Sequence, residues 1–129
     1  MAQMAIEAAI AEGRRRNLKP ITVAILDAGG HLVALARENG SSNLRPKIAI
    51  AKASGALALG VSSRQIGEMA VERPTFIAAA AGLASEGLIP AAGGLLIQNS
   101  DGTVIAAIGV TGDTSDNDEI CALAGLAAL

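Results

Sequence analysis

The sequence predicts an α+β fold, in which one antiparallel sheet carries helices on its faces. Three observations carry that reading. Two stretches of β-branched and apolar residues, from Ile21 to Arg37 and from Leu95 to Val110, each turn back on themselves through a short loop. A block of helical spacing lies between them, and a further helical segment stands at each terminus. At 129 residues the chain has the size of one domain built round one core, so residues 1–129 are read as a single unit.

Residues 2 to about 17 form an Ala-rich helix with a loose apolar stripe of Met4, Ile6, Ala9, Ile10 and Gly13, stopping near Asn17. Lys19-Pro20 resets the backbone to an extended course. Ile21 to Leu26 is apolar on both faces, as a central strand covered on each side would be. Asp27-Ala28-Gly29-Gly30 is a turn, and His31 to Arg37 completes the first hairpin.

From Arg45 to about Gly60 the spacing is helical and apolar nearly all round, which requires burial on more than one side. Ser62-Ser63 offers an N-cap for a helix from Arg64 to about Glu72, and Thr75 offers one for a helix from Phe76 to Ala84. Gly87, Pro90 and Gly93-Gly94 mark an irregular segment. Leu95 to Gln98 and Val104 to Val110 then pair around the turn Asn99-Ser100-Asp101-Gly102. The last helix starts near Ser115 or Asp116, where Asp116 and Glu119 have the spacing of a capping box.

Composition narrows the function. Half of the chain, 51%, is hydrophobic, but only 1% is aromatic, so Ala, Ile, Leu and Val must fill the core and bring helices and strands close together. Charged residues make up 17%, too few to cover a small protein. Together with the apolar helix from Arg45, this predicts a homo-oligomer of four or more chains.

The uncharged stretches Ser54 to Ser63 and Thr75 to Ser85 fall short of the roughly 20 residues that span a bilayer. Glu7 and Glu12 break any signal-peptide pattern, so the cytoplasm is the expected location. Arg14, Arg15, Arg16 and Lys19 suit a helix carboxyl end, and with no aromatic platform beside them they predict no nucleic-acid binding. One cysteine, Cys121, excludes an internal disulfide.

Lys52 is the only charged residue between Ile48 and Ser63, on a face shared with Gly55 and Leu59. Burying an unpaired ammonium costs several kcal/mol, so it must pair with an internal carboxylate, Asp27 or Glu119, or with a ligand's carboxylate. Arg73 precedes Pro74 and leaves its helix, where its guanidinium could grip a carboxylate bidentately. Arg64 and Glu68 form an i, i+4 pair. Gly93-Gly94 and the run Gly109 to Gly112 allow close approach of backbone or ligand, and their amides could hold an oxyanion, but neither fits a nucleotide-binding fingerprint. Asp113, Asp116, Asp118 and Glu119 lack calcium-loop spacing, and no dedicated metal site is expected.

The run VAILDAGGHLVALARE, Val23 to Glu38, resembles the opening hairpin of the GlcG and HbpS family. Further blocks follow in order: Ile48 to Ala53, Ala92-Gly93-Gly94-Leu95, Asp101 to Gly112, Asp118-Glu119 and Ala124-Gly125. The resemblance implies a five-stranded antiparallel sheet flanked by helices with profilin-like layering, related to the carboxyl-terminal domain of PduO, assembled into higher oligomers.

It also implies haem, or a related tetrapyrrole, as a ligand. His31, the one histidine, is then the only imidazole available to the iron, although a turn histidine after Gly-Gly is more often an exposed polar residue. Met4, Met69 and Cys121 are the other axial donors, each on an apolar helix face. Three functions remain open. The first is a small-ligand-binding protein, with Lys52, Arg73, Gly93, Gly94, Glu119 and His31 as the binding set. The second is an enzyme acting on a small carboxylate, with Lys52 as base or anchor, Arg73 as clamp and the glycine amides as oxyanion donors. The third is a structural subunit of a larger assembly.

Overall fold

The computed structural model describes residues 1–129. In chain order the elements are α1 (Ala2–Arg15), β1 (Thr22–Asp27), β2 (Leu32–Arg37), α2 (Arg45–Leu59), α3 (Ser63–Glu72), α4 (Pro74–Leu83), β3 (Gly94–Gln98), β4 (Val104–Thr111) and α5 (Ser115–Ala127). The sheet is antiparallel throughout, with strand order β2-β1-β4-β3. It has four strands, one fewer than the family resemblance implies. Between α4 and β3, residues 84–93 form no strand, and Pro90 there lacks the N–H that a ladder needs.

The first helix ends where Asn17 adopts a left-handed φ of 56°. β1 lies inside the sheet with its first five residues buried, as its two-sided apolar run predicts. Alternation then sorts its side chains. Val23 and Ile25, with Ile108 and Val110 of β4, face α1 and α5, where Ala5, Ile6, Ala9, Cys121 and Ala122 complete the main core. Leu26 and Ala107 face α2 and meet Ala53. α1 packs on α5 over one face, and α2 covers the other, with α3 and α4 outside it.

The aromatic-poor core lets α2 lie very close to the sheet. Gly94 and Gly109 stand opposite each other in the β3–β4 pairing. A Cβ on Gly109 would overlap the carbonyl of Ala49, and one on Gly94 would overlap the carbonyl of Lys52. The two glycines thus form a flat floor on which the backbone of α2 rests.

Two helix starts differ from expectation. α4 begins at Pro74, whose fixed φ and missing N–H suit the first turn, so Arg73 rather than Thr75 takes the N-cap position. α5 is capped by the Thr114 hydroxyl, which accepts from the Asn117 amide at 3.2 Å, and Asp116 and Glu119 form no capping box. α3 matches its signal: Ser62 and Gln65 make a reciprocal capping box.

Candidate functional site

Lys52 sits on the α2 face that rests on the glycine floor and is 3% exposed. Its ammonium donates to the Val110 carbonyl at 3.0 Å and to Asp118 Oδ2 at 3.2 Å. The other oxygen of Asp118 accepts from the Asp113 amide at 2.9 Å. The anion that the lone lysine demands is therefore internal, and it is Asp118 rather than Asp27 or Glu119. Burial pushes the Lys52 ammonium below its ordinary pKa of 10.5; Asp118 opposes that fall and the nearby charge of Arg45 adds to it.

The remaining sequence-predicted residues are dispersed. Asp27 closes the first hairpin, accepting from the amides of Gly29 and His31 at 3.0 Å each. His31 is on the surface, its Nδ1 3.2 Å from Asp27 Oδ1. Glu119 binds Arg64 Nε through both oxygens, at 3.0 and 3.1 Å, and Asp116 takes another nitrogen of the same guanidinium. Arg64 thus ties α3 to α5 instead of pairing with Glu68. Arg73 lies over the Phe76 ring, 4.2 Å from its centroid. Gly93 offers its carbonyl to the Val110 amide at 2.9 Å, and the Gly94 amide donates to the buried Ser63 hydroxyl at 2.6 Å. None of Lys52, Arg73, Gly93, Gly94, Glu119 and His31 lines any of the five principal cavities.

The largest cavity, about 740 Å³, opens elsewhere, along edge strand β3 between the start of α1 and the end of the chain. Its volume falls in the range of roughly 300–1,000 Å³ typical of small-molecule sites. Met1 and Met4 contribute thioethers, Leu96, Ile105, Leu126 and Leu129 an aliphatic wall, and the 98–100 segment a polar rim. A bulge between Ile97 and Gln98 leaves Ile105 without a partner in the ladder, and Ile105 enters the groove wall instead.

Sequence reasoning missed this groove because its parts come from both termini and from one hairpin. A signal was present in Met1, Met4, Leu126 and Leu129, apolar residues at the two chain ends whose helices pack together.

The groove suits part of what haem requires. Seven of its ten lining residues are hydrophobic, which matches an apolar macrocycle, and methionine sulfur is an established axial donor. No histidine, lysine or arginine lines it, so charged propionates would have to face the open mouth. Of the other donors named from sequence, Met69 packs beside Ile66, Ile77 and Leu88. Cys121 is fully buried in the main core, and burial pushes its thiol up to about 11.

No helix is long and apolar enough to cross a membrane. Among curated proteins, no sequence matches the chain. Its three-dimensional structure is similar to that of a PduOC–haem complex, at 20% identity and TM-score 0.87 over 98% of this chain and 90% of that one. Klebsiella pneumoniae protein ORFY is 22% identical, with TM-score 0.86 over 98% and 85% of the two chains. HbpS is 26% identical, with TM-score 0.85 over 98% and 85%. The family described as haem degrading protein HbpS-like matches residues 1–127, nearly the whole sequence, and the chain belongs to that HbpS-like family.

Proposed function

We propose that this chain is a small-ligand-binding protein whose groove along β3 takes haem or a related flat tetrapyrrole. The observation that supports it most is the 740 Å³ apolar groove with the exposed Met4 thioether in its wall. Family membership and the structural likeness to a haem-bound relative point the same way. When bound, haem supplies a redox-active iron. The chain's own part is to withdraw the macrocycle from water against Leu96, Ile105, Leu126 and Leu129, and to hold Met4 where sulfur can serve as a soft donor. The carboxylate-enzyme reading loses support, because the Lys52 ammonium is already occupied by Asp118 and the Val110 carbonyl.

An absorption titration with hemin tests the proposal. A Soret shift that saturates at one haem per chain, or one per pair of chains, is expected. A linear, unsaturated rise would reject it.

We also infer a homo-oligomer of four or more chains, although α2 is no longer the main reason, since Ala49 and residues 51–56 are buried within the same chain, largely by the sheet and α3. The support moves to α4, Pro-Thr-Phe-Ile-Ala-Ala-Ala-Ala-Gly-Leu, which has no charge and buries only Ile77.

A further inference from the structure

Two polar chambers adjoin where β1, α2 and α5 begin. One, about 220 Å³, is lined by Lys19, Arg45, Gly112, Asp113 and Thr114. The other, about 210 Å³, shares Lys19, Arg45 and Gly112 and adds Ser41 and Ser42 among its walls. Neither contains an aliphatic or aromatic side chain other than Pro20, in contrast with the groove along β3.

Donors dominate the shared wall. The Lys19 ammonium forms no ion pair, although its charge reaches the Asp113 carboxylate and helps to lower it, and the Arg45 guanidinium has no carboxylate partner, its one bond going to the neutral Thr111 hydroxyl at 2.7 Å. Asp113 is the only acid present, and its oxygens are already taken. Oδ1 accepts from the Lys19 amide at 2.9 Å, and Oδ2 from the Thr114 amide and the Asn117 side chain at 2.8 Å each. Those bonds, that of Asn117 foremost, hold its carboxyl down at about 2, so it stays ionised and spends its charge on donors within the chain.

Lys19 and Ser42 are exposed at this wall and Arg45 is half-buried, while the Thr114 hydroxyl, which accepts from the Asn117 amide, has its proton left to donate. α2 starts beside them with no side-chain cap on its first amides, which adds to the positive potential.

We infer that these adjoining chambers bind a small phosphate-class oxyanion, gripped by Arg45 and Lys19. A guanidinium fork beside a mobile ammonium suits a tetrahedral dianion better than a single carboxylate. One chamber holds the phosphoryl group, and the other has room for the polar remainder of a small phosphomonoester. The site is separate from the haem groove and does not depend on it.

Calorimetric titration of the full chain with inorganic phosphate, glycerol phosphate and acetate tests the inference. Saturable phosphate binding is expected, weakened about tenfold or more in Lys19→Gln, the loss typical of one charge-assisted hydrogen bond. Arg45→Lys, which keeps the charge and removes the fork, should weaken it as well. Tighter binding of glycerol phosphate assigns the site to a phosphomonoester, and equal binding assigns it to free phosphate. Acetate binding as tightly as phosphate overturns the phosphate class. No saturation at millimolar phosphate, or saturation unchanged in Lys19→Gln, overturns the site. Lys19 is exposed, so its variant decides the matter even if Arg45→Lys disturbs the contact with Thr111.

Discussion

Lys52 Nζ lies 3.2 Å from Asp118 Oδ2 with both side chains almost fully buried, so the first turn of α5 is joined through the end of the sheet to the middle of α2. Removing one partner of such a pair strands the other's charge. Lys52→Met should therefore destabilise the empty protein by about 3 to 5 kcal/mol. Adding Asp118→Asn, which removes the stranded charge, should recover part of the loss. Thermal melts of the single and double variants check this, and an undiminished melting temperature in Lys52→Met would show that the pair contributes nothing.

Gly109 tests the floor beneath α2. Gly109→Ala should cost about 3 kcal/mol or more, because its Cβ meets backbone that cannot move without shifting the whole helix. Gly102→Ala, in an open turn at φ +86°, should cost only about 1 kcal/mol. Chemical denaturation of both should give that ranking; similar losses would mean that the helix can lift.

Asp113 gives a pH dependence of known sign. Its carboxyl falls from an ordinary 3.8 to about 2 in the folded chain, so its contribution is fully present above 3.8 and is lost as the pH falls through 2. The difference in melting temperature between the protein and its Asp113→Ala variant should be constant near neutrality and shrink towards zero as the pH approaches 2. A difference that persists there would trace to packing instead of charge.

The haem proposal separates two donors. His31→Ala should change hemin affinity by less than about tenfold, since His31 is a surface turn residue bonded to Asp27. Met4→Ala should weaken affinity more than that and alter the Soret band. Loss of the band in His31→Ala alone would move the site to the first hairpin.

For assembly, light scattering should give a mass of at least four chains at micromolar concentration. Leu83, 88% exposed on uncharged α4, is the place to disrupt it. Leu83→Arg should lower the mass while leaving the circular dichroism of the chain unchanged. An unaltered mass would place the contact on another surface.

By itself, the sequence determined the fold class, both hairpins and the order of nine elements within a residue or two at most ends. Those features rest on local chemistry: β-branched runs for β1 and β4, Asp27 with Gly30 and Asn99 with Gly102 for the turns, Ser62 for a cap. It also determined that Lys52 needs an anion, because burial cost is a property of the residue and its apolar neighbours.

Only tertiary structure decided which anion. Asp118 is 66 positions away, and the sequence pointed to Asp27 or Glu119 until the fold brought the first turn of α5 to α2. The same holds for Gly94 and Gly109, whose small size is explained by a helix that crosses them, and for Arg64, which prefers α5 to its own helix. The groove along β3 was hidden most completely. Its walls come from positions 1, 4, 105, 126 and 129, which periodicity cannot connect, since a cavity belongs to the space between elements and not to any one of them.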